Sequence, residues 1–99
     1  MDIKIQSIHF DATEKLEAFI NKKVTKLGHF YDGIIVADVV LKVIKPETVK
    51  NKSASVSLKV KNGDCFAEKV CDTFEEAVDT VAEALEKQLL KLKEKSKAK

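Results

Sequence analysis

Few residues of this 99-residue chain could do covalent or metal chemistry: Cys65, Cys71, His9 and His29. The cysteines stand six apart, which fits neither a Cys-x-x-Cys pair nor a zinc ligand set, and both histidines lie far from them in sequence. A thiol nucleophile needs an imidazole base beside it and a third group to orient that base, and the spacing brings no such set together. Both thiols therefore read as reduced and structural. No Gly-x-Gly-x-x-Gly, phosphate-binding loop, His-Glu-x-x-His or Gly-x-Ser-x-Gly sequence occurs, and the three glycines stand singly at expected turns. The expectation is no enzyme, no metal, no cofactor and no small-molecule substrate.

What remains is charge. The basic residues number 18, all of them Lys, against 16 acids, for a net charge of +2. Composition alone does not announce a nucleic-acid binder, so position has to decide. Lysine is a point charge on a flexible stem without a bidentate fork, which suits phosphate contact better than base reading.

The elements that must carry these charges follow from periodicity. Ile3, Ile5, Ile8 and Phe10 form two alternating pairs whose parity shifts, which predicts a first strand with a bulge near Gln6 and Ser7. Leu16, Phe19, Ile20, Val24 and Leu27 follow a helical period, with Asp11 or Thr13 as N-cap and Gly28 as C-cap. Residues 34–44 are β-branched and apolar on both parities, as in a central strand, and Pro46 ends that run. Ala54, Val56, Leu58 and Val60 alternate with Ser and Lys, a strand with one buried and one wet face. Asn62-Gly63 predicts a hairpin returning through residues 65–71. Phe74, Val78, Val81, Leu85, Leu89 and Leu92 restore the helical period after Asp72 or Thr73.

The expected fold is α+β in the order β-α-β-β-β-α: a four-stranded sheet with two helices packed on one face. Residues 1–95 read as a single domain and 96–99 as a polar tail. Asp2 and Lys4 interrupt any signal-peptide pattern, and no apolar run approaches the ~20 residues of a membrane span.

On a helical wheel, Lys15, Lys22 and Lys26 fall within about 40° of one another beside the apolar stripe of the first helix, with Lys23 between them and the stripe. The last helix divides along its length: residues 72–86 hold six acids and no Lys, and residues 87–99 hold six Lys and one Glu. Lys87, Lys91 and Lys95 step by four into one ridge, on the same angular side as the Lys flank of the first helix. Acids early and lysines late in a helix are also what its dipole favours, and a Lys flank is often plain solvated surface. The alternative is one basic strip across both helices, a phosphate-backbone footprint.

These segments resemble, over nearly the whole chain, the short ribosome hibernation-promoting factors and related ribosome-associated inhibitor proteins of bacteria. The likeness rests on Ile3-Lys4-Ile5, Leu16 through Leu27, Ile34 to Leu41, Lys61-Asn62-Gly63, and most specifically Leu85-Glu86-Lys87-Gln88-Leu89 followed by Lys91-Leu92-Lys93-Glu94-Lys95. The resemblance implies a fold similar to double-stranded-RNA-binding domains and a cytoplasmic stress or stationary-phase factor. It would bind small-subunit rRNA in the decoding channel, block the sites of messenger and transfer RNA, and inhibit translation reversibly. Carried over by position, Lys23, Lys26, Lys87, Lys91 and Lys95 match RNA-contacting positions, and Lys22 and Lys93 join them on the charge pattern. The chain departs from the family at His29 and Ala84, where relatives often carry a basic residue. Ending at Lys99, it is expected to lack the additional C-terminal domain of long members. A generic double-stranded-RNA or protein-binding module is the alternative, and the acidic start of the last helix weighs against it.

Overall fold

The computed structural model describes residues 2–8, 10–31, 33–44, 51–61 and 63–97, with side chains to residue 94. Its elements are β1 (Asp2–Ile8), α1 (Glu14–Leu27), β2 (Ile34–Val43), β3 (Lys52–Val60), β4 (Gly63–Cys71) and α2 (Phe74–Lys97), in the expected order. The strands form one sheet, β1-β2-β3-β4, in which β1 and β2 are parallel and the two later pairs antiparallel. A tight turn cannot join parallel neighbours, and α1 is the crossover that does.

Register places the apolar parities together. Ile3, Ala37, Leu58 and Cys65 form one row across the sheet, and Ile5, Val39, Val56 and Ala67 the next. Over these rows lie Leu16, Ile20, Val24 and Leu27 of α1 and Phe74, Ala77, Val78, Val81, Leu85 and Leu89 of α2, all in one core. Ile20, Leu58, Leu85 and Leu89 are fully buried, each such side chain contributing about 1.5–3 kcal/mol relative to exposure. The opposite sheet face carries rows such as Lys4, Asp38, Ser57 and Phe66.

Thr13 and Thr73 cap the helices. Thr13 Oγ1 accepts the Leu16 N–H at 3.1 Å and Thr73 Oγ1 accepts the Glu76 N–H at 3.1 Å. Gly28 does follow α1, but with φ −64°, and the helix closes through Gly28, His29 and Phe30 N–H groups donated three residues back. The end is a tightened right-handed turn rather than a left-handed glycine cap.

The bulge expected in β1 is absent, and β1 keeps unbroken register with β2 from Asp2 to Ile8. The parity shift has a simpler cause: Ile3 and Ile5 face the helices, whereas Ile8 pairs with Lys42 on the other sheet face. Phe10 lies past the strand and stacks on Phe74, centroids 4.5 Å apart, tying the entrance of α1 to the start of α2. The register irregularity lies in β2 instead, where Ile34 pairs with Val60, Val36 with Lys59, and Ile35 is the extra, exposed residue. Gly63 begins β4 at φ +153°, where a side chain would be strained. Helix α2 runs through Lys97, so its backbone takes in Ser96 and Lys97 of the expected tail, and residues 98–99 lie outside the described residues. His9, Pro46 and Asn62, singled out in the sequence, lie outside the described residues.

Candidate nucleic-acid interface

Because α1 returns the chain between parallel strands, it runs against them, and α2, packed back along β4, runs the same way. Matching flanks of two helices lying side by side in one direction point the same way. The Lys flank of α1 therefore meets the acidic flank of α2, and the Lys ridge of α2 lies on its far side.

The contacts follow this rule. Lys23, Lys26, Leu27 and Phe30 face Asp79, Ala82, Glu83 and Glu86 across a groove of about 190 Å³. Lys23 Nζ is 2.8 Å from Asp79 Oδ1 and sits 5.5 Å from the Phe19 ring centroid. An ion pair this exposed stabilises the fold by only about 0.2–1 kcal/mol. The groove is smaller than the ~300 Å³ at which small-molecule pockets begin.

Lys22 is exposed on the outer surface of α1 beside Asn21, Thr25, Lys26 and His29. Lys87 is exposed on α2, and one turn later Lys91 borders a hollow at the edge of β4 with Asp64, Cys65, Gln88 and Leu92. Lys93, seven residues after Glu86, falls on the α1-facing flank of α2 and is exposed. Lys95 continues the backbone of α2, and its side chain lies outside the described residues. His29 is exposed and Ala84 half-buried.

The expectation of one uninterrupted basic strip is thus corrected. Acids lie between the two Lys groups, because same-side flanks on co-directional helices nest against each other instead of joining. Three residues escaped the sequence reading. Asp79 is one of the six acids of residues 72–86, and only the packing of the helices shows that it holds a lysine of α1. Gln88 anchors α2 to the sheet edge: its Nε2 donates to Phe66 O at 2.8 Å, and its Oε1 accepts the Phe66 N–H at 3.2 Å. Phe66 is 57% exposed on the open sheet face. Alternation from Cys65 and Ala67 could have put it there.

Burial first and the neighbouring Asp64 carboxylate second push the Cys65 thiol above its ordinary pKa, the direction opposite to an activated nucleophile. Among the described residues no group of three or more His, Cys, Asp or Glu is placed to hold a metal, and no helix is long and apolar enough to cross a membrane.

The fold and the site define a class: a small α+β domain that presents lysines from two parallel helices on one side of its sheet. Within that class the chain belongs to the family described as Sigma 54 modulation protein / S30EA ribosomal protein, which it matches over residues 3–97. It is 26% identical over 98 residues to a ribosome hibernation promoting factor of Pseudomonas putida, covering 99% of this chain and 92% of that one. A ribosome hibernation promoting factor of Azotobacter vinelandii is 28% identical over 95 residues, covering 96% and 85%. Among solved structures, a ribosomal subunit interface protein from Coxiella burnetii superposes with a TM-score of 0.83 at 22% identity, covering 94% of this chain and 98% of that one. The N-terminal domain of Thermus thermophilus Protein Y gives 0.79 at 22%, covering 93% and 99%.

Proposed function

We propose that this chain is a cytoplasmic ribosome hibernation factor. It binds rRNA of the small subunit in the decoding channel, blocks the sites of messenger and transfer RNA, and inhibits translation reversibly. The observation that carries the reading is the helix layer itself. In a chain of this family, Lys22 and Lys26 on α1 and Lys87 and Lys91 on α2 are all solvent-exposed. They stand on one side of the sheet with no base-reading constellation among them. Lys23, Lys93 and Lys95 extend the set. Such an interface neutralises phosphates and releases counterions, so affinity falls steeply with salt. The acidic first half of α2 disfavours a generic duplex-RNA module, which would bring phosphates to that end of the helix.

Co-sedimentation of the purified protein with separated small and large ribosomal subunits tests this. Binding should be to the small subunit and weaken roughly a thousandfold between ~50 and ~200 mM salt if about six phosphates are engaged. Salt-independent binding, or preference for the large subunit, overturns the reading.

A further inference from the structure

Among the described residues, Lys23 is the candidate lysine that already holds an anion. Its Nζ lies 2.8 Å from Asp79 Oδ1, the spacing of a charge-assisted hydrogen bond, and 5.5 Å from the Phe19 ring centroid. The Asp79 side chain is 51% exposed and that of Lys23 30%, so the pair stands at the surface where a backbone phosphate would arrive. Glu83 and Glu86 continue the acidic wall of the same groove. A phosphate seeking Lys23 must displace one carboxylate and approach two more. Lys22, Lys87 and Lys91 stand outside that groove.

We propose that Asp79 is an internal competitor for the phosphate backbone. By holding Lys23 it withdraws one cation from the RNA footprint, lowers affinity and salt dependence together, and so sets how readily the protein leaves its site. This inference rests on the proposed function and deepens it, since it names the residue that regulates that same interface. The carboxylate occupies the position against Lys23 that a phosphate oxygen would take, so release of Asp79 and capture of a phosphate are one exchange. Its cost is largest in low salt, where the phosphate contact it withdraws would contribute most through counterion release.

The test is a double-mutant comparison of affinity for purified small ribosomal subunits across ~50–200 mM salt, with wild type, Asp79→Asn, Lys23→Gln and the double variant. Asp79→Asn should bind several-fold tighter than wild type, and its log–log salt slope should steepen by about 0.7–0.9, one more phosphate. Asp79→Ser deletes the same charge with a different side chain and has to reproduce the gain, with circular dichroism checking the fold of each variant. In the Lys23→Gln background the gain from Asp79→Asn should vanish. Equal gains in both backgrounds would mean that Asp79 acts through the general field. No gain from either Asp79 variant would mean that it does not compete. Either result overturns the inference, while salt-dependent binding by wild type leaves the proposed function standing. Failure of wild type to bind the small subunit overturns both.

Discussion

Cys65 shows how a fold silences a reactive group. It is buried beside Asp64, and both effects favour the neutral thiol. Below the ordinary thiol pKa of about 8.5 folded and unfolded chains both keep the proton, so pH has no leverage there. Above it only the unfolded chain releases the proton, and stability should decline as pH rises through that value until the higher folded-state value is reached. Urea unfolding between about pH 7.5 and 9.5 should show this decline in wild type, and Cys65→Ala should flatten it. An unchanged slope in the variant would mean that Cys65 is not the group responsible. The lysines make the opposite case, groups whose loss should cost binding and not fold. Gln at Lys87, Lys91 and Lys95 together should abolish sedimentation with ribosomes and change stability by no more than about ±0.5 kcal/mol per site. Wild-type binding by that triple variant would reduce the ridge to solvated surface. The ridge was legible because a step of four is fixed by helix geometry. The Lys23–Asp79 pair was not, since a wheel describes one helix and the pair depends on how two helices are placed.

Helix α2 is held at two scales. Its apolar stripe seats it on β3 and β4, and Gln88 fixes it to the sheet edge by satisfying both main-chain groups of Phe66. The open side of an edge strand is a row of unpaired donors and acceptors, and Gln88 fills one step of that row as a neighbouring strand would. Gln88→Ala should therefore cost roughly 1 kcal/mol in urea unfolding and strip the Phe66 amide of hydrogen-exchange protection. Glu at the same position retains an acceptor for the Phe66 N–H but no donor for its carbonyl, so it should restore protection of that amide. Protection of Phe66 unchanged by Gln88→Ala would show that the clamp does not form in solution. Element order and the buried faces were legible, because alternation and helical period report burial directly, and each Thr cap was one of the two candidates its helix start offered. The irregular residue was not. Ile3, Ile5 and Ile8 look like a strand that changes parity, although the pairing that decides the matter belongs to β2, where Ile35 is the extra residue. Likewise Phe66 reads as core by residue type and as surface by alternation with Cys65 and Ala67.

The whole molecule is elongated, 50 × 22 × 16 Å, with the last apolar anchor of α2 at Leu92 and only Lys, Glu and Ser in the five residues of helix that follow. A helix rises 1.5 Å per residue, so this polar end reaches about 7 Å past its last core contact. The groove between its helices measures about 190 Å³, and the buried thiol is biased toward its neutral form. If the protein acts by occupancy, inhibition in a reconstituted translation assay should saturate near one protein per ribosome, since each bound copy excludes messenger and transfer RNA from a single site. High salt or dilution should reverse it, because counterions compete for every lysine contact at once. Removing the Asp79 charge should shift the salt needed for reversal upward without changing the saturating ratio, as that substitution alters affinity and not the number of sites. The ribosomal RNA recovered afterwards should be intact. Inhibition by far fewer copies than ribosomes, or cleaved rRNA, would require a chemical step that no constellation among the described residues supports, and the occupancy mechanism would fall with it.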